Sequence, residues 1–180
     1  MKEVITAMQN WVSQVIVKYN FCPFARKEVE SKTIHYHVSS AIKHDDAVMD
    51  MLQQCSELTL HRERETTLVI FERGFEDFNE FLDLVDLANA LLVAQGFEGT
   101  YQIANFHPDY VFADSEDDDA ANYTNRAPYP TLHLIREESM AQALEEYDDP
   151  EQIPENNIRL ARRKGTAFWQ HLLQQCQHQG

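Results

Sequence analysis

The sequence predicts an α/β (or α+β) fold: one layered globular domain over residues 1–180, with about four strands, mainly parallel, and four to five helices. Three observations carry this. Strand-like apolar runs alternate along the chain with segments whose apolar residues recur every three to four positions. Strand–helix–strand order favours right-handed crossovers and a parallel sheet. A length of 180 residues with 43% hydrophobic side chains fits one core, and neither a low-complexity linker nor an internal repeat divides it.

Residues 3–19 predict a helix, because Val4, Met8, Trp11, Val15 and Tyr19 fall on one face; Asn20 can stop it and Pro23 prevents its continuation. TIHYHV at 33–38 alternates, with Ile34, Tyr36 and Val38 opposite His35 and His37, as a half-buried strand does. Residues 44–58 carry Ala47, Val48, Met51, Cys55 and Leu58 at helical spacing. TTLVIF at 66–71 is continuously apolar and β-branched, the signature of a central strand. A long helix over 76–95 ends at Gly96. YQIANF at 101–106 reads as the third strand, and TLHLI at 131–135 as the fourth, which is free to run antiparallel at an edge. A short helix from Glu137 to Tyr147 and a final one over 155–178 complete the order.

Thirty acidic against 15 basic residues give a net charge of −15. That argues against nucleic acid and against anionic membrane surfaces, both of which recruit cations. The five glycines form neither a GxGxxG nor a GxxxxGK[ST] loop, so backbone cradles for phosphate are not expected. Three widely spaced cysteines, Cys22, Cys55 and Cys176, make no disulfide framework and no CxxC zinc pair. Met1 to Ala25 lacks the apolar run of a signal peptide, and no stretch is long and apolar enough to span a membrane. The expected home is the cytoplasm.

Residues 107–130 form a long stretch with no predicted element, and such loops at the carboxyl edge of a sheet often carry function. His107 and His133 are the candidate proton-transfer pair, since imidazole titrates near neutral pH. If their strands are neighbours, both rings reach one cleft, and Asp109 is placed to orient one of them. Between Gly74 and Ile158 there are 20 carboxylates and two cations, Arg126 and Arg136. Each is either a salt-bridge partner or a fork for an anionic ligand. Asn125 joins Arg126 in the candidate binding set, and Arg159 adds to it from the cationic NNIRLARRKG segment. Cys22 is a second-rank nucleophile, with a small buried hydrophobe as its plainer reading. His35 and His37 share a strand face that suits a metal, but no third ligand is evident and no metal site is assigned. The run Asp114 to Asp119 lacks the glycine and final glutamate of an EF-hand loop.

The segments Asn20-Phe21-Cys22-Pro23-Phe24-Ala25, Phe106-His107-Pro108-Asp109-Tyr110, NRAPYPTLHLIRE at 125–137 and IPENNI at 153–158 resemble those of an uncharacterised bacterial family, domain of unknown function 1415. The resemblance runs over essentially the whole chain. It implies a bacterial single-domain protein of this length and carries no catalytic roles with it.

These readings converge on an enzyme acting on a small anionic metabolite. Arg126, Arg136, Asn125 and Arg159 would hold it, and His107 or His133 would move a proton. The residues name no cofactor. The rivals are a non-enzymatic binding or protein-interaction module and a metal- or redox-responsive protein. The enzyme reading requires one pocket that collects His107, Arg126 and His133.

Overall fold

A computed structural model describes residues 1–145 and 147–178. Four strands, β1 (Ile34–Ser39), β2 (Thr66–Phe71), β3 (Tyr101–Phe106) and β4 (Thr131–Arg136), form one sheet in the order β1-β2-β4-β3. β1 pairs with β2 in parallel, while β4 runs antiparallel to both β2 and β3. The sheet is therefore mixed and mostly antiparallel, not mainly parallel. β4 is also interior rather than at an edge. The reason is topological. The connection from β2 to β3 sets these two strands one strand apart, and the chain returns from β3 beside itself, Phe106 opposite Thr131, to fill the gap.

Alternation along the strands splits the core into two layers. On one face Val69, Phe71, Leu132 and Leu134 meet α3 (His44–Leu60) and α4 (Phe78–Ala94). α4 starts where Asp77 accepts the Glu80 N–H, and it ends at Gly96 with a φ of +77°. On the other face Leu68 and Ile70 meet α1 (Lys2–Trp11), α6 (Ile153–Lys164), α7 (Thr166–His178) and part of the 107–130 segment.

Seven α-helices occur among the described residues, more than the expected four to five. One of the additions is α2 (Ala25–Ser31), whose sequence ARKEVES has too little apolar periodicity to announce itself; none of its residues is fully buried. Another comes from the expected final helix, which breaks at Gly165 with a φ of +83° and becomes α6 and α7. The indole of Trp169 donates back across that break to the Ala161 carbonyl at 2.9 Å. The first helix reaches its expected end near Asn20, which takes a φ of +57°, but Val12–Val17 is π-helical. Such widened turns are rare and frequently mark functional sites. The remaining helix, α5 (Glu137–Glu145), follows β4 directly and buries no residue completely.

The 107–130 segment is packed rather than loose. It contains a 3-10 turn, Ala120–Thr124, in which all five residues are buried. Asn122 organises it, accepting from the Phe112 N–H at 3.1 Å and donating to the Glu116 carbonyl at 2.8 Å. Asp119 caps the turn and takes the Arg162 guanidinium on its carboxylate, with a shortest contact of 2.6 Å.

Candidate functional site

A cavity of about 520 Å³ lies on the α1 side of the sheet. Its floor is the sheet itself: Ile34, Thr66 and Leu68, Ala104 and Phe106, His133 and Ile135. Trp11, Val12 and Ile16, from the end of α1 and the π-helical turn, form one wall. Phe21, Cys22 and Phe24 form the next, and Met140 and Ala143 of α5, with Asn157 and Ile158 of α6, complete the enclosure. Phe112 and Asn125 reach in from the long loop. The lining is mostly aliphatic and aromatic with a few polar groups, the usual make-up of a small-molecule site.

His133 is the polar centre of the floor. Its Nε2 lies 2.6 Å from Thr66 Oγ1, and that hydroxyl lies 2.5 Å from the Leu134 carbonyl oxygen. Phe106 sits beside the ring at 6.1 Å between centroids. Burial among apolar groups pushes the imidazole down to about 4, so it is neutral at pH 7. Cys22 lines the same cavity, and burial raises its thiol above the ordinary value, although main-chain groups of Phe24 and Ala25 hydrogen-bond it and act in the opposite direction. At neutral pH the sulfur is therefore a thiol, not an activated thiolate.

The other expected residues lie elsewhere. β3 and β4 are neighbours, as the shared-cleft idea needs. But His107 follows Phe106 by one residue, and that parity sends its ring to the opposite face, between Phe78 and Phe81 of α4. There it is fully buried and fully used: Nε2 donates to the Phe75 carbonyl at 2.9 Å and Nδ1 accepts the Asp109 N–H at 3.0 Å. Burial lowers its pKa too. Asp109 thus holds the histidine through its main chain, while the residue itself is exposed.

Arg126 donates to the Tyr110 and Asp117 carbonyls, each at 3.0 Å, and stacks over Tyr123 at 4.6 Å. Arg136 donates to the carbonyls of Leu58 and Arg64, fastening β4 to the end of α3. Arg159 is exposed and contacts Asn156 on its own helix. His107, Arg126 and His133 therefore do not converge, and among the described residues no arginine lines the cavity. Of the expected set the structure brings together His133, Cys22 and Asn125. His37 pairs with Asp50 at 2.9 Å, and among the described residues no group of three possible ligands is placed to hold a metal ion. No helix among them is long and apolar enough to cross a membrane. A wider open groove of about 860 Å³ runs along β1 and α3 past His37 and Asp50 and includes none of the expected catalytic or ligand-binding residues.

Sequence reasoning missed Thr66 and Trp11. A hydroxyl heading the buried TTLVIF run was a visible signal for Thr66, because a buried hydroxyl needs a partner. Trp11 reads as an ordinary core residue; that its indole donates to the Arg126 carbonyl at 2.9 Å depends on contacts far apart in the chain.

Neither the curated proteins nor the solved structures compared with this chain gave a match. Residues 3–171 match a protein family described as Protein of unknown function (DUF1415), and across that span, nearly its whole length, the chain belongs to that family.

Proposed function

We propose that the chain binds a small, predominantly apolar molecule in the cavity between the sheet and the α1, α2, α5 and α6 layer. The carrying observation is the cavity itself: about 520 Å³, floored by all four strands and lined mostly by apolar side chains. A concave, largely apolar cleft of this size with a few placed polar groups has the form of a small-molecule site. The arginine-held anion expected from the sequence is not the reading favoured here, since Arg126 and Arg136 spend their donors on main-chain carbonyls. Catalysis on the bound molecule is a second reading. What favours it is that Cys22 and His133 line one cavity. In that reading His133 acts as a neutral base and Cys22 is a thiol that needs deprotonation to attack.

The test is fluorescence titration with Nile red, an uncharged apolar dye. One saturable site is expected, with an accompanying change in Trp11 emission. Ala143→Phe, which fills the α5 side of the cavity, should abolish binding while leaving the fold intact by circular dichroism. Equal binding to the variant, or no saturable binding by the native chain, would remove the cavity reading.

A further inference from the structure

The hydrogen bonds around His133 fix which of its nitrogens carries the proton. A carbonyl oxygen only accepts, so Thr66 Oγ1 must donate its single proton to Leu134, 2.5 Å away. The same hydroxyl then has only lone pairs to offer Nε2 at 2.6 Å. Nε2 is therefore the protonated nitrogen of the neutral ring, and Nδ1 is left as a bare acceptor. Nδ1 has no hydrogen-bond partner among the described residues, and the ring lines the cavity. The other polar groups of the lining are largely occupied. Thr124 donates to the Ala121 carbonyl, Asn125 to that of Asn105 and Asn157 to that of Phe21. The charged lining residues are Glu28 and Glu65, both anionic. Ser139 also lines the cavity, and its hydroxyl can donate or accept; beyond it the lining offers a guest mainly acceptor capacity and carboxylates on an apolar background, with no cation among the described residues.

We infer that the ligand of this cavity is a non-anionic, largely apolar molecule that donates an O–H or N–H to Nδ1 of His133. This rests on the cavity reading and adds to it the polarity of the guest. A carboxylate or phosphate would set lone pairs against the Nδ1 lone pair, near two glutamates and with no lining cation. A donor instead pairs with a cavity-facing acceptor that an apolar guest would cover and leave unpaired, and a site built this way discriminates against a guest lacking the donor.

The experiment uses the intact chain labelled with nitrogen-15 histidine, and three probes of one shape: naphthol, methoxynaphthalene and naphthoate. Long-range proton–nitrogen NMR of the free protein at pH 7 should show His133 protonated at Nε2 and bare at Nδ1. Naphthol should shift the Nδ1 resonance and bind about tenfold tighter than methoxynaphthalene. Naphthoate should bind more weakly than either. His133→Phe should reduce naphthol to the affinity of methoxynaphthalene; should that variant not fold, the Nδ1 shift in the native chain decides alone. A proton on Nδ1 overturns the inference. So does tightest binding by naphthoate. Equal binding of naphthol and methoxynaphthalene leaves the cavity reading standing and removes the donor inference. Binding of none of the three removes the cavity reading and the inference together.

Discussion

His133 ties stability to pH through its burial. In the folded chain the ring resists protonation down to about 4, whereas in the unfolded chain it takes a proton near 6.5. Between those values the unfolded state binds more protons, so stability is full above 6.5 and falls as pH drops towards 4. The gap corresponds to about 3 kcal/mol. His107 and His35, whose pKa values burial also lowers, act in the same direction. Urea denaturation of the native chain and of His133→Gln from pH 7 to pH 4 isolates the contribution: the variant should lose less stability over that range, and parallel curves would refute it. Arg136 offers a second residue-scale test. Its guanidinium supplies the carbonyls of Leu58 and Arg64 at the end of α3. Arg136→Met keeps most of the stem and leaves those carbonyls unpaired, so it should cost about 2 kcal/mol in urea denaturation. Nile red binding should persist, because Arg136 holds elements together and does not line the cavity.

The elements were readable where their own residues decide them. The continuous TTLVIF run and the alternating TLHLI run appear as strands because side-chain period is a local property. α2 escaped because a short helix with one large apolar residue has no face to recognise. Gly165 escaped for a different reason: a helical pattern runs on both sides of it, and nothing local demands the left-handed φ of +83° that separates α6 from α7. A Cβ added there meets nothing within 4 Å, so Gly165→Ala tests the backbone alone. Without a clash, the cost should be about 2 kcal/mol, because a φ of +83° with a ψ of +157° is a conformation essentially confined to glycine. Unchanged stability would mean that the Trp169 contact across the break, not the glycine, sets the bend.

Over the whole molecule the net charge of −15 is a self-repelling field around a core built on both faces of one sheet. Screening should relieve that repulsion. Raising sodium chloride from about 0.01 M to about 0.15 M, which shortens the Debye length from about 30 Å to about 8 Å, should raise the melting temperature. A fall would show that ion pairs such as Asp119–Arg162 contribute more than the repulsion they sit in.

The sequence by itself determined the alternation of helices and strands and the faces of the two alternating runs at 33–38 and 131–135, so that the His133 ring lies opposite Leu132 and Leu134. It also determined the acidity of the surface and the resemblance that the family match over residues 3–171 bears out. The tertiary structure decided what those faces meet. Placing β4 between β2 and β3 set Thr66, His133 and Ala104 over one cavity, while a shift of one residue turned His107 to the other side. It also showed Arg126 and Arg136 bound to carbonyls rather than open to a ligand. The physical reason is range. Side-chain period and charge are set by neighbours in sequence, but register and hydrogen-bond satisfaction are set by residues tens of positions apart, such as Thr66 with His133 and Arg136 with Leu58.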